Sequence, residues 1–432
     1  MLYKQIYSTL IGFTFTALSI AQSRTDAFLQ NILQRNQHHV FQQVLQDPVK
    51  YRCQIIYTQI DRSNQKKPSF KNYFFNYDPE LYFNPASMVK MPLAFLSLEK
   101  LNTQHIKGVN KFTPLFFDSS YTGQVSLSTD SSAANGLPSI AQMIKRAFLI
   151  SENDPYNRMY QYVGQGNINR ILHEKGYTDA KITRQFMGFT EDQNRHTNAI
   201  RFIDKNRRTI FEQAAAYNTE PFDFSNPVFI GKGHFDQKDS LINGPFDFTR
   251  HNRISLGSLQ QMLQSVVFPE SVPEKQRFKL NKTDRQFLLK YLSQYPSETS
   301  YPYYDTSVYY DSYVKLFFKD GSHQIAPNIR VFNKVGWAYG FLTDVSYITD
   351  TKNNIDFMLA ATIYVNSDEI VNDSKYDYDS IGYPFMYQLG QTIYQYELLR
   401  KRVNKPMLNN LKIHYDQRKQ KMARKTISVA DN

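Results

Sequence analysis

From Thr25 to Gln46 the apolar positions Phe28, Ile32, Leu33, Val40, Phe41, Val44 and Leu45 recur near helical spacing, which predicts helix at the start of the chain. Tyr51–Ile60 is β-rich, 61–68 reads as a polar turn, and 70–77 is a second aromatic strand, so a hairpin follows. The stretch NPASMVKMPLAFL, residues 84–96, then opens an apolar helix. From about 100 to 320 the periodicity is helical or irregular, with helices expected over 140–149, 256–267 and 283–295. Strand patterns return at 328–334, 343–348 and 355–365, the last being the most apolar, and 383–403 reads as an amphipathic helix. Strands split between the two ends of the chain predict an α/β fold. One antiparallel sheet is built from both termini and flanked by helices, with an all-helical lobe inserted and a ligand cleft between the lobes.

The expected boundaries are an α/β lobe from 22–86 plus 325–403 and a helical lobe from 87–324. Residues 201–250 are rich in Asn, Asp, Phe and Gly without periodicity and read as a long insertion. Residues 404–432 carry Lys405, Lys412, Arg418, Lys419, Lys421, Arg424 and Lys425 among few apolar positions, so a basic, solvated tail is expected. At the other end, Lys4 precedes an apolar run from Ile6 to Ile20, and Ser19-Ile20-Ala21 offers small side chains for cleavage. Residues 1–21 therefore read as a secretory signal peptide and the protein as periplasmic or secreted, with no membrane span after cleavage.

Composition changes this picture little. The 432 residues include 31 Tyr and 32 Phe, too aromatic for a disordered chain. A net charge of +12 favours anionic partners, but no zinc-finger cysteines, aromatic RNA-binding signature or phosphate-binding loop point to nucleic acid. Cys53 is the single cysteine, which excludes an intrachain disulfide. No H-x-H-x-D or H-E-x-x-H arrangement and no G-x-S-x-G occurs, so neither zinc hydrolase chemistry nor an ordinary α/β-hydrolase is expected, and no metal or organic cofactor is implied.

The chemistry-bearing pattern is Ser87-Met-Val-Lys90. Residues three apart share a helix face, so Lys90 can approach the Ser87 hydroxyl. A serine is a poor nucleophile until a base takes its proton, and a lysine serves when burial and neighbouring cations lower its pKa. Asn84 and Pro85 suit a helix start, whereas Pro92 is expected to kink the helix that follows. Downstream, Ser151-Glu-Asn153 lies in a polar turn after a helix, and Lys334-Val-Gly336 at the end of an expected strand.

S-x-x-K, S-x-N and K-x-G in that order resemble the serine β-lactamase and penicillin-binding protein superfamily, and within it the class A β-lactamases. The resemblance implies a β-lactamase/transpeptidase-like fold over roughly 25–400, with Ser87 as acylated nucleophile and Lys90 as its base. It implies that Ser151 relays a proton to the leaving nitrogen, that Asn153 and Lys334 bind substrate, and that Gly336 lets substrate lie along the strand edge. The N–H groups of Ser87 and Trp337 would form the oxyanion hole. The expected substrate is a small amide or β-lactam, with peptidoglycan as an alternative, attacked by a monomer. The remaining alternatives are a glutaminase-like amidase and a non-catalytic envelope-binding protein. Two departures stand out. Val335 replaces the usual hydroxyl residue, and the deacylating carboxylate has no well-spaced counterpart, Glu191 in Gly188-Phe-Thr-Glu191 being the candidate.

Overall fold

The computed structural model describes residues 23–63, 67–119, 123–408 and 413–418; the expected signal segment and most of the basic tail lie outside them. The strands β1 (Gln54–Arg62), β2 (Pro68–Phe75), β3 (Ile329–Ala338), β4 (Phe341–Asp350) and β5 (Ile355–Tyr364) form one antiparallel sheet in the order β3-β4-β5-β1-β2. Both ends of the chain thus build the sheet, as the split strand pattern predicts. The register is continuous: Tyr57 lies opposite both Leu359 and Tyr73, and Thr343 opposite both Gly336 and Thr362.

β5 shows why its sequence is apolar without alternation. Phe357, Leu359, Ala361 and Ile363 enter the core beneath α1 (Ala27–Leu33), α2 (His39–Gln46) and the C-terminal helix Tyr383–Leu399. Met358, Ala360 and Tyr364 enter the core shared with the helical lobe. Side chains alternate across a strand, so a central strand covered on both faces is apolar on both, and the two polar residues of β5 are paired, Asp356 with Arg62 and Thr362 with Thr343.

The helical lobe contains α3 (Lys90–Gln104), α4 (Ile140–Leu149), α5 (Asp154–Val163), α6 (Gln165–Glu174), α7 (Glu191–Arg195), α8 (Leu256–Val267) and α9 (Lys282–Ser293). The expected helices at 140–149 and 256–267 match in full, while the opening helix is broken into α1 and α2. The last helix, α10, ends at Leu399 rather than 403. There Arg400 and Arg402 fold back onto the buried Glu397 carboxylate. Pro92 does not kink α3. It is the third residue of the helix, where its missing N–H has no intrahelical acceptor to serve.

Two segments depart from their sequence reading. Residues 201–250 hold short strands, and one of them, Gly233–Phe235, pairs in parallel with Ile370–Val371. Phe246 and Phe248 stack near Tyr339 with centroids 5.5 Å away, so the insertion closes over the sheet end instead of looping into solvent. The tail also returns. Asp416 accepts from Lys290 Nζ at 2.6 Å, and Arg418 donates to the carbonyls of Pro296 and Tyr304 at 2.7 and 2.8 Å, so this arginine is spent on the helical lobe.

Candidate active site

Three segments converge between the lobes. The first is the turn before α3. Asn84 Oδ1 accepts from Ala86 N at 2.8 Å, and Ala86 takes φ 43, a left-handed conformation uncommon for alanine. That bend starts a 3₁₀ turn, Ala86–Val89, which carries Ser87. α3 begins at Lys90, so nucleophile and base straddle the 3₁₀–α junction. The second is the turn between α4 and α5, where Ser151 has φ 67. Glu152 pins this turn, since it pairs with Arg146 and accepts from Tyr304 Oη at 2.7 Å. The third is the edge strand β3.

β3 reaches its place because Gly336 has no side chain. A Cβ there would sit 2.3 Å from the Pro85 carbonyl oxygen and 3.1 Å from Met88 N, both immovable backbone. Its hairpin to β4 turns through Tyr339 and Gly340, at φ 53 and 82. Positive φ at both central residues is the two-residue turn whose flanking pair is hydrogen-bonded. Alternation along the ladder then leaves the N–H of Trp337, opposite Leu342, pointing off the open edge of the sheet toward Ser87. That is the direction an oxyanion-hole donor requires.

The polar groups meet around Ser151. Lys90 Nζ lies 2.6 Å from Ser87 Oγ, 2.8 Å from Asn153 Oδ1 and 3.3 Å from Ser151 Oγ, and it also reaches the Ser151 carbonyl. Lys334 Nζ lies 2.8 Å from Ser151 Oγ on the other side. Lys90 is fully buried. Burial first, and then the charge of Lys334, hold its pKa well below the ordinary lysine value. A neutral amine at this distance is able to accept a hydroxyl proton. Lys334 is pushed down to about 7 by burial, Asp344 opposing the shift and Lys315 adding to it. The structure therefore brings Ser87, Lys90, Ser151, Asn153, Lys334, Gly336 and Trp337 into one constellation. Among the described residues no group of His, Cys, Asp and Glu could hold a metal ion.

Two expectations need restating. Val335 is fully buried in the core beneath α10, so its side chain faces away from the site and takes no part in the cavity. Glu191 is not brought to Ser87. It begins α7, half exposed, with its carboxylate ion-paired to Arg250. The same loop instead presents residues 184–188 to the cavity, and the Phe186 ring centroid lies 5.1 Å from Lys90 Nζ. The sequence reading sought an acid in this region and passed over Arg184, Phe186, His251 and Tyr339, all of which line the cavity. Their apolar and basic character gave no catalytic signal in one dimension.

The cavity at Ser87 measures about 580 Å³. A larger one, about 1240 Å³, opens between α3 and α9 and contains none of these residues; its Lys111 and Lys175 are already paired with Asp284 and Glu99.

A serine beside a buried lysine, next to a second serine held by another lysine, is the arrangement that an acylating active-site serine requires. Residues 40–216 match the model of the "Beta-lactamase enzyme family". That stretch carries Ser87, Lys90, Ser151 and Asn153. Solved structures similar to the chain include the β-lactamase from Sphaerobacter thermophilus DSM 20745 (12% identity, 83% of this chain and 96% of that chain, TM-score 0.45). The β-lactamase from Francisella tularensis is similar at 12% identity, 83% and 100% coverage and TM-score 0.46. So is a mutant of PBP-A in acyl-enzyme complex with penicillin G, at 12% identity, 85% and 96% coverage and TM-score 0.47. A comparison with curated proteins finds no match.

Proposed function

We propose that this protein is an exported serine hydrolase of the class A β-lactamase type, which opens a cyclic or linear amide through an acyl-enzyme on Ser87. The observation that carries the reading is the 2.6 Å contact between Ser87 Oγ and a buried Lys90 amine whose pKa is strongly depressed. Lys90 takes the hydroxyl proton as Oγ attacks the carbonyl carbon, and the N–H groups of Ser87 and Trp337 receive the oxyanion. Ser151 passes a proton to the departing nitrogen, Lys334 lowering the cost of its transient negative charge.

A second reading is favoured by one observation. With Phe186 over Lys90 and Glu191 tied to Arg250, the described residues lining the cavity include no carboxylate to activate water. Acylation is equipped and deacylation is not, so the acyl-enzyme persists as in a penicillin-binding protein. Intact-protein mass spectrometry with penicillin G decides between them. A covalent shift on Ser87, absent in Ser87→Ala and Lys90→Ala, is expected, and its clearance time distinguishes hydrolase from penicillin-binding behaviour. Folded protein that never gains mass would overturn both. Export is tested by the mature N-terminus, expected to follow Ala21.

A further inference from the structure

The Ser87 cavity runs away from Ser151 and Lys334, neither of which lines it, into a space between loop 184–188 and the end of β3. Ser151 serves the leaving nitrogen, so this space receives the acyl portion of the substrate. Its walls include Arg184, His251, Asn252, Tyr339 and Tyr376. Arg184 is the only permanently charged side chain among the described residues lining it, and no Asp or Glu is present there.

The Arg184 guanidinium makes no hydrogen bond and no ion pair among the described residues. Its backbone is fixed, however: Arg184 N donates to Asn252 Oδ1 at 3.0 Å, and Arg184 O accepts from Tyr156 Oη at 2.7 Å. Other half-buried arginines of this protein are satisfied. Arg52 donates to the Tyr82 carbonyl, Arg62 to Asp356 and Arg330 to Glu298. The His251 ring beside Arg184 offers no compensation, because burial, and next the arginine itself, push its pKa down to about 3 and keep it uncharged. Asp247, the carboxylate that opposes this shift, is exposed, with Oδ1 accepting from Thr249 N. A guanidinium without a partner, on a fixed backbone in an aromatic wall with no carboxylate among its described residues, is a fork free to take an oxyanion.

We propose that Arg184 forms an acyl-side anion subsite, so that the preferred amide carries a carboxylate on its acyl portion. This rests on the acyl-enzyme reading. It is separate from Lys334, which serves the leaving-group side. A charge-assisted pair of this kind contributes about tenfold to a hundredfold in affinity.

The test uses benzylpenicillin and carbenicillin, which differ by one carboxylate on the acyl side chain. The chain's single tryptophan, Trp337, lines the cavity and reports occupancy by its fluorescence. Titrated into the non-acylating Ser87→Ala protein, carbenicillin should bind about tenfold or more tighter than benzylpenicillin. That ratio should collapse toward one in Ser87→Ala/Arg184→Gln and survive in part in the Arg184→Lys counterpart. Arg208→Gln, which removes the same charge at an exposed position, should keep the ratio. Equal binding of the two penicillins, a ratio that persists without Arg184, or no saturable change with either ligand would overturn the proposal. Absence of an adduct on wild-type protein, with charge discrimination intact, would overturn the acyl-enzyme reading alone.

Discussion

Replacing Phe186 by glutamate tests directly why the acyl-enzyme should persist. The ring stacks on Tyr156 at 4.3 Å, while the backbone N–H of Phe186 donates to Asn157 Oδ1 at 2.7 Å, a contact that holds residue 186 beside Lys90 whatever its side chain. Losing the stacked pair costs roughly 0.5–1.5 kcal/mol, a small part of the ~5–15 kcal/mol stability of a typical domain. A carboxylate in the ring's place would sit near the present 5.1 Å from Lys90 Nζ. At an effective dielectric of about 20 that separation gives an attraction of roughly 3 kcal/mol, which favours the ammonium and raises the Lys90 pKa by about two. Two consequences follow. Acylation of Phe186→Glu should reach half its plateau about two pH units higher than in wild type, because Lys90 holds its proton longer. Clearance of the adduct should accelerate by roughly 10²–10⁴-fold, since a general base now faces the ester. Pulse-chase mass spectrometry with penicillin G measures both, with Phe186→Gln as the uncharged control. An adduct lifetime unchanged in the glutamate variant, in protein melting as a folded domain, would refute the claim that the missing carboxylate limits turnover.

Lys334 should leave its mark on the pH profile. With a folded-state pKa of about 7, it is charged below that pH and neutral above, so affinity for a penicillin's ring carboxylate should fall as pH rises past 7, and Lys334→Ala should flatten the step. Gly336→Ala should abolish acylation and lower the melting temperature, because its Cβ would meet the Pro85 carbonyl at 2.3 Å; acylation at the wild-type rate would contradict the close approach of β3 to the nucleophile turn. Truncation after residue 412 removes Arg418 from the Pro296 and Tyr304 carbonyls and so loosens the Tyr304 that holds Glu152 between Ser151 and Asn153. It should slow acylation several-fold with the Lys90 pH midpoint unmoved, and equal rates would show that the tail packs without consequence.

The sheet and the meeting of Ser87, Lys90, Ser151, Asn153 and Lys334 were legible in the sequence for the same reason: both rest on short-range pattern. β5 is apolar at eight of its ten positions, with Asp356 and Thr362 the exceptions, and Ser87–Lys90, Ser151–Asn153 and Lys334–Gly336 are each local pairs whose spacing suits one turn or one strand edge. The oxyanion donor at Trp337 follows from its place beside Gly336. What escaped depends on contacts between segments far apart. Arg184, Phe186 and His251 acquire meaning only when loop 184–188 and the end of the insertion meet across the cavity, and nothing periodic marks that meeting. Glu191 attracted attention as a carboxylate at roughly the right place in the chain, yet a capped five-residue helix turns it outward to Arg250. The insertion seemed structureless because its strands are two to five residues long, too short to leave an alternation, and one of them, Gly233–Phe235, takes a partner as distant as 370–371.

The two lysines divide their labour through what lies behind them. Lys334 is backed through the sheet by Asp344, whose carboxylate accepts from Asn333, Ser346 and the Leu316 N–H while Lys315 donates to Asn333. Burial raises the Asp344 pKa to about 6, yet above that pH its negative charge offsets part of the penalty of holding Lys334 protonated. Lys90 has less support. The hydroxyls, the amide and the aromatic face around it supply dipoles, and the carboxylate it feels, Glu152, already satisfies Arg146 and Tyr304. The same depth of burial therefore leaves one amine able to keep a proton and the other inclined to release it. Ser151 lies between them at φ 67, a conformation that costs of order 1–3 kcal/mol and persists only where its surroundings enforce it. That strain places its Oγ 3.3 Å from Lys90 and 2.8 Å from Lys334, within reach of both amines, which is what the proton relay proposed for it requires.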